Sequence, residues 1–92
     1  MNIQLNNKEY PIKLDFNVFK EFEAITGKSV FDFENIRTAT GMIALTYCGI
    51  KAANDKTKIT MQDVGESMTL EIITNVTNEY SRAMGFDLEK KE

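Results

Sequence analysis

A chain of 92 residues has room for one compact domain with a small hydrophobic core. Its 42% hydrophobic and 27% charged residues exclude wholesale disorder, and a net charge of -3 with scattered lysines and arginines argues against nucleic acid as a partner. The single cysteine excludes an internal disulfide and fits a reducing cytoplasm, while no stretch approaches the ~18 apolar residues of a membrane span.

Residues 3–14 predict a β-hairpin. Apolar residues alternate with polar ones along this segment, and the polar run that begins at Asn6-Asn7 interrupts the alternation. Asparagine tolerates positive φ, so Asn6-Asn7 can form the tight turn. Pro11 has no N–H, and we expect it to face away from the partner strand. Because a hairpin alone is barely stable in water, its apolar face needs a helical layer to cover it.

The next segment predicts a helix over about residues 16–26. Asp15 or Asn17 can serve as its N-cap, and Gly27 stands where a left-handed residue would end it. Apolar residues at helical spacing form the predicted buried stripe: Phe16, Phe19, Phe22 and Ile25. We expect this helix to supply part of the core, with Phe19 and Phe22 buried.

Two further helices are predicted before residue 54. Ser29 followed by Asp32 resembles a capping box for a short helix that carries Val30, Phe31 and Phe33. Thr38 or Thr40 then opens a segment that is apolar on nearly all sides, which is typical of a buried helix. We expect this segment to be the central helix, with Leu45 and Ile50 in the core.

The remaining segments predict a short helix and a longer final one. Thr60 with Asp63 begins the short helix, which runs to about Ser67. The last segment contains apolar residues at even positions, which also fits a strand, but its length and Gly85 favour a helix. The predicted class is therefore α+β, mostly α, with the hairpin packed against four to five helices. We expect residues 1–86 to form this domain and residues 87–92 a charged tail.

The sequence contains no convincing catalytic or metal-binding constellation. Gly27-Lys28-Ser29 ends like a phosphate-binding loop, but Phe22 stands where the pattern requires the first glycine. The chain has no histidine, and Cys48 lies among apolar residues, where a small buried hydrophobe is the expected role. We expect no enzyme activity, no cofactor and no metal.

A protein-binding surface is the remaining possibility. Methionines suit adaptable binding grooves, although they also fill irregular cores, and the two alternatives stay open here. The later short elements crowd apolar residues that cannot all face one way. We therefore predict that a partner or a second copy of the chain binds the region formed by Met61, Met68, Leu70 and Ile72.

Four stretches of the chain resemble the tail assembly chaperones of siphophages and related prophages. The resemblance spans Ile3 to Met84 and concerns structural positions. The similar stretches are the hairpin region from Asn7-Lys8-Glu9-Tyr10 to Leu14, the first helix and turn (FNVFKEFEAITGK), the central helix (ALTYCGIK) and the later capped segment (ITMQDVGE).

The resemblance implies a role in the assembly of phage tails. A chaperone of this family would bind the tail tape-measure protein, keep it soluble in the cytoplasm of the bacterial host and help tail-tube protein assemble around it. The chain would correspond to the short form of such a chaperone. The alternative is a structural virion component, such as a head-tail connector or a minor tail subunit.

Overall fold

The computed structural model describes residues 1–85. Its elements in chain order are β1 (Asn2–Leu5), β2 (Lys8–Pro11), α1 (Phe16–Thr26), α2 (Phe33–Ile36), α3 (Ala39–Ala53), α4 (Met61–Ser67) and α5 (Leu70–Ala83). The α+β, mostly α class is confirmed, with an N-terminal hairpin and five helices within residues 1–85. The predicted tail at 87–92 lies outside the described residues.

The N-terminal hairpin forms as the sequence predicts. Strands β1 and β2 pair in antiparallel fashion, and Asn6-Asn7 makes the turn with φ of 56° and 67°. Pro11 lies opposite Asn2, and the amide of Ile12 donates to the carbonyl of Met1 at 2.8 Å. Because bonded and non-bonded pairs alternate along an antiparallel ladder, Pro11 occupies a non-bonded position where its missing N–H costs nothing.

Helix α3 is the centre of the fold. Thr38 caps it, since its hydroxyl accepts a hydrogen bond from Gly41 N, and Leu45 and Ile50 are fully buried. The chain after β2 crosses α3 at Gly49, whose carbonyl accepts a hydrogen bond from Lys13 N at 3.1 Å. Gly49 permits this close crossing because it has no Cβ atom. A Cβ at this position would lie only 2.5 Å from Cγ1 of Ile12.

Helix α1 buries a narrower face than the sequence predicts. Asp15 caps the helix and Gly27 ends it with φ of 71°, as expected. Phe19 and Phe22 are buried, but Phe16 is 59% exposed and Ile25 is 45% exposed. Successive residues of a helix are rotated by roughly 100° about its axis. Phe16 and Ile25 are therefore on opposite sides of α1, although each residue of the stripe is only three positions from the next. Only the middle of the predicted stripe reaches the core.

Helix α2 is shorter than predicted and begins later. Asp32 is its N-cap and accepts a hydrogen bond from Glu34 N at 3.1 Å, so the expected capping box from Ser29 is wrong. The Ser29 hydroxyl instead accepts from Phe31 N at 3.1 Å, which makes a local turn. Val30 is buried ahead of the helix. As a result, Phe31 lies in the connection rather than in a helix.

The last two helices follow the predicted pattern. Thr60 and Asp63 form a complete capping box at the start of α4. Thr69 caps α5, which is a helix of 14 residues and not a strand, and Gly85 follows it with φ of 89°. Within residues 1–85 the helices are all too short or too polar to cross a membrane.

Candidate protein-binding surfaces

The four predicted partner-binding residues do not form one surface. Met61 and Met68 are partly buried and pack against the core. Leu70, the first residue of α5, is 79% exposed. Ile72 is only 3% exposed, so it belongs to the core and its expected place in an exposed region is wrong. The cap at Thr69 fixes where α5 starts, and two residues after Leu70 the helix has turned Ile72 inward.

Met68 lines an apolar groove where the start of α3 meets α4 and α5. We call it the Met68 groove. Its volume is about 510 Å³, which is large enough for several side chains of a partner. The residues that line it are Arg37, Thr38, Ala39, Met42, Ile43, Gly65, Met68, Ile73 and Thr77. Of the four predicted residues, only Met68 is among them.

Gly65 keeps one wall of the Met68 groove low. A Cβ atom at this position would lie 3.2 Å from Cδ1 of Ile43, which also lines the groove. A larger side chain at residue 65 would therefore extend into the groove. The sequence analysis did not identify Gly65. A glycine inside a helix is nevertheless a signal, because glycine stabilises a helix less than alanine does and its presence there usually has a packing reason.

Three phenylalanines form a second apolar surface, which we call the aromatic patch. Phe16, Phe31 and Phe33 are 59%, 66% and 38% exposed. The ring centroids of Phe16 and Phe31 are 6.0 Å apart. We expected the exposed apolar residues in the later half of the chain. Leu70 is exposed there, but the patch itself belongs to the first half. Aromatic side chains are enriched at protein interfaces.

The aromatic patch rests on two buried aromatic rings, those of Phe19 and Tyr80. The Phe16 ring lies 5.4 Å from Phe19, and Phe19 meets Tyr80 edge-on at 5.8 Å. Phe33 stacks on Tyr80 with ring centroids 5.8 Å apart. Burial raises the pKa of the Tyr80 hydroxyl, and the charge of Asp32 raises it further. Tyr80 is therefore neutral at physiological pH and serves as a platform for the exposed rings.

Charged side chains border the aromatic patch. Asp15 and Asp32 are N-caps, so the helix starts fix their positions. Arg37 forms an exposed ion pair with Glu34 at 3.2 Å. The Arg37 guanidinium also lies 5.7 Å from the centroid of the Phe33 ring, and Arg37 lines the Met68 groove. The patch and the groove therefore adjoin at Arg37.

Cys48 is poorly suited to nucleophilic chemistry. It is 5% exposed at the base of a cleft between α1 and α3. Burial raises the pKa of its thiol to about 11, and the charge of Glu21 adds to the rise. The thiol is therefore protonated at neutral pH. In residues 1–85 no group of three or more cysteine, aspartate or glutamate side chains is arranged to hold a metal ion.

No protein family, curated protein or solved structure matches the chain. Its function is therefore inferred from the surfaces of the domain and from the resemblance of its sequence stretches.

Proposed function

We propose that this domain is a tail assembly chaperone, which binds and solubilises the tail tape-measure protein and helps tail-tube assembly. The observation that carries the proposal is the Met68 groove, an apolar opening bounded by three helices. The resemblance to siphophage chaperones supplies the identity of the partner. The groove supplies the physical means of binding it.

The walls of the groove suit an amphipathic helix. The groove has an apolar lining, to which the hydroxyl-bearing Thr38 adds a polar group. The apolar residues are Met42, Ile43, Met68 and Ile73. Helices of this kind insert apolar side chains, spaced three and four residues apart, into grooves between helices. The thioether side chains of methionine adapt to side chains of different shapes. Such a groove can therefore hold successive, non-identical turns of a long helical partner.

The overall charge fits a solubilising role. The chain carries 14 acidic and 11 basic residues, so each bound copy adds a net charge of -3. An exposed apolar stripe on a long helix favours aggregation, and covering it with a charged domain opposes aggregation. Several copies along one tape-measure chain would increase this effect.

Co-expression tests the proposal. The tape-measure protein encoded in the same phage or prophage genome is produced with the wild-type domain or with a variant, and the soluble fraction is measured. Met68→Lys places a charge in the groove, and Gly65→Leu fills it. We expect both variants to reduce the soluble fraction strongly. Ile25→Lys is the matched control, because it changes an exposed apolar residue outside the groove.

The outcome is informative only for folded variants. Far-ultraviolet circular dichroism and thermal melts of each purified variant establish this. Folded groove variants that solubilise the tape-measure protein as well as the wild type would overturn the proposed site. A tape-measure protein that is equally insoluble with and without the wild-type domain would overturn the proposed function. Stoichiometric amounts of the domain in purified particles would instead indicate a virion component.

A further inference from the structure

The aromatic patch is a surface with two features that attract positive charge. The faces of its three phenylalanine rings carry the negative side of the aromatic quadrupole. Carboxylates neighbour the exposed rings along the chain, since Asp15 directly precedes Phe16 and Asp32 separates Phe31 from Phe33. Lys13 lies 4.0 Å from Asp15 in an exposed pair, which solvent screens, whereas Asp32 has no ion pair among residues 1–85. Apolar area and negative charge therefore occur together at one place.

We propose that the aromatic patch docks a protein segment whose apolar side chains are flanked by lysine or arginine. The apolar side chains would cover the exposed Phe16 and Phe31 rings. The flanking cations would meet Asp15 and Asp32 and the edges of the patch. This surface is distinct from the Met68 groove, so the proposal does not depend on which protein the groove holds.

An interaction of this kind already exists within the molecule. The Arg37 guanidinium lies 5.7 Å from the centroid of the Phe33 ring, while its nitrogen pairs with Glu34 at 3.2 Å. A guanidinium thus contacts a ring of the patch and a carboxylate at the same time. A cation from a partner could make the same two contacts at Phe31 and Asp32.

Charge also argues against a second copy of the chain as the occupant. A two-fold contact through the patch would bring the same surface of each copy together. Each copy would bring the carboxylates of Asp15, Asp32 and Glu34 and the cations of Lys13 and Arg37, so both faces would be net negative, as the chain as a whole is at -3. Like charges at an interface oppose association. A segment with cationic flanks has the opposite preference.

Two synthetic helical peptides with the same leucine stripe test the proposal. One carries lysine and arginine beside the stripe, and the other carries glutamate at those positions. Their affinities for the purified full-length chain are measured by fluorescence anisotropy at low and high salt. We expect the cationic peptide to bind at least about tenfold more tightly, with the difference shrinking at high salt.

Substitutions locate the binding site. Phe31→Ser should weaken binding of the cationic peptide by about tenfold or more, because it removes a 66% exposed ring. Asp15→Asn combined with Asp32→Asn should weaken it severalfold, and asparagine keeps both N-caps so that the helices persist. The control is Ile25→Ser, which removes an exposed apolar side chain at the opposite end of α1.

Three results would overturn the docking proposal: equal affinity for the two peptides, unchanged binding by Phe31→Ser, or equal losses with Ile25→Ser. The Gly65→Leu variant separates this proposal from the groove. We expect it to leave binding of the cationic peptide unchanged. If Gly65→Leu abolishes binding and Phe31→Ser does not, the peptide occupies the Met68 groove and the patch proposal fails, while the proposed chaperone function stands.

Discussion

Tyr80 on α5 is joined to Val30, fifty residues earlier, by a buried hydrogen bond. The Tyr80 hydroxyl donates to the Val30 carbonyl at 2.8 Å. The Val30 amide in turn donates to the Glu23 carboxylate at 2.9 Å. Both polar groups of the Val30 backbone are thus satisfied, one by α5 and one by α1. This pair of bonds holds the connection between α1 and α2, and with it the exposed ring of Phe31.

Removing the Tyr80 hydroxyl should destabilise the domain. Tyr80→Phe keeps the ring that supports Phe33 but leaves the Val30 carbonyl without its donor. We expect a loss of about 1–2 kcal/mol in the free energy of unfolding, measured by urea denaturation. Tyr47→Phe is the control, because Tyr47 is only partly buried, and it should cost less than about 0.5 kcal/mol. Equal effects of the two substitutions would contradict the account of this bond.

Thr46 presents the opposite situation, a buried hydroxyl without a bond. Its Oγ1 atom is inaccessible and has no hydrogen-bond partner among the residues that the structure describes. Thr46→Val replaces the hydroxyl with a methyl group of similar size and relieves the cost of burying it. We expect the free energy of unfolding to stay the same or rise by up to about 1 kcal/mol. A loss above about 1 kcal/mol would mean that the hydroxyl is bonded.

Adding one methyl group at each of two helical glycines should have opposite effects. A Cβ at Gly49 would lie 2.5 Å from Cγ1 of Ile12, so Gly49→Ala should force the hairpin away from α3 and cost about 1–3 kcal/mol. At Gly65 the nearest atom is the flexible end of Ile43 at 3.2 Å. Gly65→Ala should be neutral or stabilising by up to about 1 kcal/mol, because alanine favours helix. Thermal melts that show equal shifts would contradict this account of the hairpin's position.

Much of the fold could be predicted because its signals are local. The Asn6-Asn7 turn and the cap at Thr60 each depend on neighbouring residues, and both were predicted correctly. The shortened α2 was not, because Ser29 and Asp32 can each form a cap or a local turn, and their sequence spacing does not decide between the two. Packing of Val30 into the core decides where this helix begins.

Alkaline pH should destabilise the folded domain through Cys48. Its pKa rises from 9.0 to about 11 on folding, so the folded state favours the protonated thiol. The resulting stabilisation is fully present below pH 9 and is lost as pH rises through 11. The free energy of unfolding should fall less in Cys48→Ala than in the wild type over this range. Tyr80 titrates in both proteins, so the difference between them reports on the thiol. Parallel pH profiles would show that the thiol does not contribute.

The binding surfaces were harder to predict than the fold. Met68 was identified because methionine side chains suit adaptable binding grooves, but Gly65, which also lines the groove, has no side chain that would indicate binding. Ile72 was misplaced because exposure on a helix depends on where the helix starts and on its packing against β1. The aromatic patch was missed because Phe16 lies in α1 and Phe31 in the connection that follows it. The sequence analysis placed both residues in predicted helices, so it gave no sign that their rings meet on the surface.

The methyl groups of the methionines allow the most direct test of the Met68 groove as the partner-binding site. The chain has five methionines, and ¹³C-methyl labelling would give each a separate nuclear magnetic resonance signal. On binding the tape-measure protein, the signals of Met42 and Met68 should shift or broaden, because both line the groove. Those of Met61 and Met84, which do not line it, should change little. Complex formation with changes at Met61 or Met84 and none at Met42 and Met68 would contradict the account.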